Sequence, residues 1–370
     1  MSPFATIDDP QRPIRILQVG AGGMGRAWLR NLSRNADVEL VGIVDLDLEG
    51  ATRAAEELGY GGVPIGRSVT ELAAATRADA VLNVTIPVAH HPVGTEALFL
   101  GLPVLSEKPA APSVAEALSL AAASEVTGQL LMISQSRRYY RTLSAYKAAV
   151  QQMGPVGLLT NQFFKAPHFG GFREEMAYPL LIDMAIHPFD VARFLLDAEP
   201  VSVYADSFNP SWSWFGGDAG AAVTFEFESG MRFQYTGSWV SGGDETSWNG
   251  SWLASTEQGT VTWDGERDPI VTTVGGAPTT VAASGDEAEE IGGSLVEFVT
   301  ALRTGVTPSG EVHENIGSLA MVEAAVLSAT RRERVLLADV LAGARSQAIA
   351  DEQRPDVRER LSQEGVVSRG

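Results

Sequence analysis

The 370-residue chain contains no cysteine. That absence removes disulfides, thiolate metal sites and thiol catalysis together. Basic residues are scarce: 27 Lys and Arg stand against 46 Asp and Glu, for a net charge of −19. A surface of that sign repels phosphate backbones and anionic lipid, which argues against nucleic-acid or membrane-surface partners. No apolar run reaches membrane-spanning length, and the opening MSPFATIDDPQRP has no signal-peptide core, so the expected address is cytoplasmic. Histidines number five, and His168 and His313 stand alone, so no metal site is expected. Neither an internal repeat nor a low-complexity run interrupts the chain.

What is present is a soluble globular composition, 45% hydrophobic and 20% charged, at a length that suits two domains. Ile14 to Val19 (IRILQV) is a short apolar run that ends in Gly20-Ala21-Gly22-Gly23-Met24-Gly25. Met24, Trp28, Leu29 and Leu32 then recur at helical spacing, and Leu40 to Val44 forms a second apolar run closed by Asp45. Strand, glycine turn, helix, strand and acid fall in the order of a dinucleotide-binding βαβ unit. Glycines at 20, 22, 23 and 25 let the backbone approach a pyrophosphate, with Met24 in the turn and the helix dipole behind it. Asp45 is placed to accept from both ribose hydroxyls of adenosine, and Asp47 and Glu49 follow it with no arginine, which selects NAD over NADP. A plain glycine-rich turn is the alternative.

Further strands end at Thr85-Ile86-Pro87, at Ser106-Glu107-Lys108-Pro109 and at Ser134-Gln135, with Ala-rich helices between them. Such alternation predicts a doubly wound parallel sheet of about six strands over residues 1–135, with ligands at strand ends such as Thr85, Pro87 and Lys108. Beyond it, Arg137 to Gln152 reads as one connecting helix. Val223, Phe225 and Phe227, then Met231, Phe233 and Tyr235, alternate with polar residues around Ser229-Gly230, which is an antiparallel hairpin. Residues 136–342 are therefore expected to form an α+β domain with a large open, mostly antiparallel sheet, and 343–370 a polar tail with a short exposed helix. Several tryptophans fall in this sheet region. An uncovered face carrying them would be apolar and would pair copies into a homodimer or homotetramer.

The stretch LLIDMAIHPFD places Asp183 and His187 four residues apart among apolar neighbours. On one helix they would share a face, either satisfying each other or serving chemistry. Alcohol oxidation needs a base for the hydroxyl proton, and His187 fits that role, with Asp183 orienting it or binding a neighbouring hydroxyl. Lys108 could polarise the oxygen or relay the proton, and the choice of base between His187 and Lys108 stays open. Arg138, Lys165 and Arg173 precede this motif as candidate substrate contacts, and Trp248 offers a face for stacking.

GAGGMG, TIPVAHH, Glu107-Lys108-Pro109 and DMAIH followed by Asp190 occur in that order. Together they resemble the glucose–fructose oxidoreductase, inositol dehydrogenase and MocA family. The resemblance implies a Rossmann domain, a C-terminal sheet used for oligomerisation, and NAD(P)-dependent oxidation of sugars or polyols. It makes Lys108 the catalytic lysine and Asp183 and His187 the substrate-domain pair. It also puts Glu107 near the cofactor and a cis bond at Lys108-Pro109, and it matches His90 to a position near the cofactor, with a strand-end histidine satisfied by backbone as the alternative. Two departures stand out, Tyr178-Pro179-Leu180-Leu181-Ile182 before the aspartate and GLPV at Gly101 to Val104. The expected activity is NAD-dependent dehydrogenation of a sugar, anhydrosugar or cyclic polyol, carrying no phosphate. Alternatives are a glycosidase or lyase that oxidises its sugar transiently, a biliverdin-reductase or dihydrodiol-dehydrogenase activity, and a non-catalytic sensor. Net turnover of added NAD separates the first two.

Overall fold

The apolar run Ile14–Val19 forms strand β1, and its glycine turn opens helix α1 (Gly23–Leu32). In this computed structural model, which describes residues 3–7, 9 and 12–363, the alternation continues strictly. It runs β2 (Val38–Val44), α2 (Leu48–Glu57), β3 (Ile65–Gly66), α3 (Val69–Thr76), β4 (Ala80–Asn83) and α4 (Pro87–Phe99), then β5 (Val104–Glu107), α5 (Val114–Thr127) and β6 (Leu131–Ser134). All six strands pair in parallel in the order β3-β2-β1-β4-β5-β6. A parallel sheet needs helices on both faces, and β4, β5 and β6 are accordingly buried at every residue. Ser113 shows how local sequence starts a helix. Its hydroxyl accepts from the Glu116 N–H at 3.2 Å and donates to the Glu116 carboxylate at 2.9 Å, which fixes the first turn of α5.

The second sheet is built on a different rule. After a short 3-10 turn (Ser136–Tyr139) come α6 (Arg141–Gln152), β7 (Val156–Phe164), α7 (Phe172–Glu175) and α8 (Ile186–Leu196). Strands β8 (Pro200–Phe208), β9 (Gly220–Phe227), β10 (Arg232–Ser238), β11 (Ser251–Thr256), β12 (Gly259–Trp263), β13 (Ile270–Thr273) and β14 (Thr279–Thr280) follow. The chain ends in α9 (Glu290–Thr304), α10 (Val312–Arg331), β15 (Val335–Leu336), α11 (Leu337–Asp351) and α12 (Pro355–Ser362). The nine strands pair as β14-β13-β12-β11-β7-β10-β9-β8-β15, and only β7 and β10 run parallel. Alternation decides the faces. Leu159 and Phe163, Val223 and Phe225, Phe233 and Tyr235, and Trp252 are buried, with Phe189 of α8 edge-on to Phe225 and Tyr235. Tyr146 of α6 stacks on Trp263.

The opposite face differs from the sequence expectation. Gln162, Thr224, Gln234, Thr236 and Ser251 are exposed there beside Tyr204 and Phe208, so the face is mixed and carries none of the strand tryptophans. Trp239, Trp252 and Trp263 lie buried instead. The period of two sends every large aromatic of β10–β12 to the same side as Phe225, where helices cover it.

The chain clusters into two units, one of residues 1–136, 291–316 and the C-terminal segment from Ala344, the other of 137–290 and 317–343. Two boundaries thus depart from the expected ones. The stretch 291–316 joins the first unit, where the Ile133 N–H donates to the Gly310 carbonyl at 2.7 Å. The expected polar tail over 343–370 is, through Ser362, helical and packed: Val357 and Leu361 of α12 are fully buried beside α5. Two apolar residues four apart suffice for a one-sided helix, a signal that the surrounding charges conceal. Residues 364–370 lie outside the described residues. Among the described residues no helix is long and apolar enough to cross a membrane.

Candidate functional site

In the first unit the site is made largely of backbone. Gly20 sits at φ +99°, and a Cβ there would come within 2.5 Å of the Val84 carbonyl oxygen. A Cβ on Gly25 would meet the Gly20 oxygen at 2.4 Å, so helix and strand touch only because both positions are glycine. Gly22 and Gly23, by contrast, face open space, and Met24 is exposed beside them. Helix α1 has no side-chain cap and no acid in its first turn. Its free N–H groups and positive dipole end therefore stand open to an anion. Asp45 closes the far side: one carboxylate oxygen accepts from the Ala21 N–H at 2.7 Å and the other from the Asp47 N–H at 2.8 Å. These residues fit a dinucleotide, with pyrophosphate on the helix start and ribose at Asp45.

Sequence reasoning missed the supports. Gln18, the one amide in the apolar run of β1, is fully buried and donates to the Gly20 and Gly25 carbonyls at 2.8 and 3.1 Å. Its presence inside IRILQV was the available signal. Leu46, Ile86 and Val88 are exposed apolar residues just past the ends of β2 and β4.

Thr85 is part-buried, its hydroxyl bonded to the Asn83 side chain at 2.7 Å, and Pro87 begins α4. The Lys108-Pro109 peptide is cis. Two expected cofactor contacts turn inward. His90 is buried, and its ring nitrogens lie 2.6 Å from the Pro109 carbonyl oxygen and 3.0 Å from that of Thr85. Only a doubly protonated ring donates to both, yet burial, and secondarily the Lys108 charge, lowers its pKa against the pull of those carbonyls. Glu107 is buried too: its carboxylate accepts from the Trp28 indole N–H at 2.8 Å and the Lys108 N–H at 3.2 Å. Burial raises its pKa, and the Trp28 bond and the Lys108 charge oppose that rise. Both residues hold the strand ends together rather than present themselves outward.

The second unit presents side chains in pairs. Asp183 lies not on a regular α-helix but in a π turn, Leu180–Met184, which joins α8 through Ala185. Its carboxylate accepts from Arg173 at 2.7 Å. His187 is part-buried in the first turn of α8. Lys165 pairs with Glu245 at 2.9 Å and points its ammonium at the Trp248 ring, 5.5 Å from the centroid. Trp248 remains half exposed.

Arg138 departs from the expected substrate contact. It is buried and grips Asp190 through two bonds of 2.7 and 2.6 Å, and Asp190 also accepts from Ser318 at 2.7 Å. Its neighbour Arg137 was missed. Arg137 donates to the Trp248 carbonyl and to Asn249 Oδ1, with the Met184 sulfur 3.9 Å away. Burial pushes its guanidinium pKa down to about 10. Arg137 thus ties the Trp248 loop to the Asp183 turn. Adjacent arginines cannot be told apart in a sequence, since helical phase alone decides which one turns inward.

Residues 14–135 match the model of an oxidoreductase family with an NAD-binding Rossmann fold, and residues 159–262 match the GFO/IDH/MocA C-terminal domain. The chain belongs to the GFO/IDH/MocA oxidoreductase family. An inositol 2-dehydrogenase of Saccharopolyspora erythraea is 30% identical over 52% of this chain and 56% of that protein. A 1,5-anhydro-D-fructose reductase of Ensifer adhaerens is 27% identical over 59% of this chain and 67% of that one. The chain thus spans between about half and two thirds of the curated GFO/IDH/MocA relatives it matches. An Agrobacterium radiobacter oxidoreductase solved with NAD+, L-tartaric acid and magnesium shares the fold at a TM-score of 0.81. That match has 20% identity and covers 89% of this chain and 99% of that one.

Proposed function

We propose that this chain is an NAD-dependent oxidoreductase that transfers a hydride between a ring hydroxyl of a sugar, anhydrosugar or cyclic polyol and the nicotinamide. The observation that carries the reading is the open glycine turn at α1 with the Asp45 carboxylate anchored beside it. The nicotinamide, when bound, supplies the hydride acceptor. The chain supplies the rest. His187 takes the hydroxyl proton, Asp183 orients the ring or receives a neighbouring hydroxyl, and the Lys108 ammonium stabilises charge as it builds on the substrate oxygen.

A substrate without phosphate agrees with the charge pairing. Lys165, Arg173 and Arg138 each face an acid, Glu245, Asp183 and Asp190, and so are not arranged as a phosphate cradle. Asp45 and the acids after it disfavour a 2′-phosphate, which supports NAD over NADP. A cytoplasmic address accompanies dependence on the soluble cofactor pool. Assembly into a homodimer or homotetramer would use the open sheet face, through Tyr204 and Phe208 together with threonine, serine and glutamine contacts.

The deciding experiment scores a panel of sugars, anhydrosugars and inositols for NADH formation and titrates NAD and NADP by calorimetry. The reading expects oxidation of at least one neutral ring, tighter NAD binding, and a narrower gap in Asp45→Ala. Tighter NADP binding, or preference for a phosphate ester over its neutral parent, would overturn it.

A further inference from the structure

We propose that Trp28 is a positioning residue for Lys108 and acts through the buried carboxylate of Glu107. The inference rests on the proposed role of Lys108. Trp28 is fully buried on α1, three residues past Gly25, so the helix that opens the dinucleotide site also carries this indole. Its N–H donates at 2.8 Å to one Glu107 oxygen, while the other accepts from the Lys108 backbone N–H at 3.2 Å. One carboxylate therefore spans α1 and the Lys108 turn, and neither bond can move without the other.

Packing alone explains this poorly. A buried carboxylate costs several kcal/mol unless charge or donors compensate it, and a phenylalanine–leucine contact would join helix to strand without that cost. Around Glu107 the charged or titratable groups are Lys108 itself and, on the α4 side, His90, which is bonded to the carbonyl of the next residue, Pro109. A carboxyl oxygen bonded to the Lys108 N–H restrains the backbone of the turn that presents the lysine. Trp28 supplies the bond that keeps that carboxyl group in place.

The test reads the lysine directly. Full-length protein is labelled with an amine-reactive succinimidyl ester at pH 8, and the rate at Lys108 is followed by peptide mass spectrometry with Lys147 as internal control. Trp28→Phe keeps an aromatic ring in the slot and removes the donor. It should raise Lys108 labelling about threefold or more and leave Lys147 unchanged. Should that variant fail to fold by circular dichroism, Glu107→Gln keeps the shape, replaces one of the two acceptor oxygens by a donor and should act in the same direction. Unchanged Lys108 labelling in every folded variant overturns the proposal. So does weakened NAD binding without a labelling change, which would mark a packing role only. Where the panel yields an oxidised ring, Trp28→Phe should lower kcat while the calorimetric Kd for NAD stays within about twofold. A labelling shift in a protein that oxidises nothing on the panel would remove the hydride-transfer reading and leave the positioning intact.

Discussion

The two units make their sites from different material. In the first, the parts that would meet a ligand are peptide groups: two glycines fixed by close approach, two left open, and an uncapped helix start. In the second they are charged side chains held in pairs, Asp183 with Arg173 and Lys165 with Glu245, while the buried Arg138–Asp190 couple anchors α8. A backbone site tolerates little change at a few positions and is indifferent elsewhere. A paired-charge site can alter its specificity by exchanging partners, which suits the substrate-binding role proposed for this unit.

The largest expected effect probes the chemistry assigned to each side. Lys108→Ala and His187→Ala should each lower turnover about a hundred- to ten-thousand-fold while NAD still binds. Near-wild-type kcat in both would return Asp183 and His187 to a structural pair.

Next comes the brace. Arg138→Met leaves Asp190 buried without its bidentate partner and should cost about 3–5 kcal/mol in the second unit, read by chemical denaturation. A loss below about 1 kcal/mol would mean that Ser318 alone satisfies Asp190.

The backbone site is sharpened by Gly25→Ala. Its added carbon meets the Gly20 oxygen at 2.4 Å, so α1 must shift and calorimetric NAD affinity should fall about tenfold or more. Gly22→Ala, where nothing lies within 4 Å, should leave the fold unstrained, and equal thermal midpoints for the two variants would contradict the packing argument.

The smallest effect compares two buried imidazoles of the first unit. His90 faces carbonyls, whereas His313 faces the carboxylates of Glu311 at 2.7 Å and Glu125 at 3.4 Å. Burial lowers the pKa of His313, but the two carboxylates outweigh it and bring it up to about 9. A pKa raised on folding adds stability that is complete below the ordinary histidine value and is lost as pH rises through about 9. Wild type should therefore lose about 2–4 °C of melting temperature relative to His313→Gln between pH 7 and pH 9.5. Parallel pH profiles would show that the cluster does not hold a proton.

Much of this was legible in the residues themselves. The glycine turn, the acid closing β2 and the strand-end lysine declare themselves because a parallel α/β unit confines ligand contacts to strand ends, a few positions after each apolar run. Period-two alternation likewise announced the hairpin of β9 and β10. The burials that no local pattern announced share one cause. Arg138, Glu107 and His90 looked available because a charged or polar letter in a sequence carries no record of what it faces. The C-terminal helices looked like a tail because Val357 and Leu361 are only two apolar residues among charges.

The sequence by itself determined the parallel sheet, the dinucleotide turn and the family, since these follow from periodicity and from residue types with few conformational alternatives. Tertiary structure alone decided which arginine of an adjacent pair is buried and which way the tryptophans of the open sheet point. It also decided that Glu107 turns back to Trp28. Those outcomes depend on contacts between residues far apart in the chain, 79 positions for Trp28 and Glu107 and 112 for Arg137 and Asn249. Whether burial is tolerable there depends on the partner that arrives through space, which no local pattern encodes.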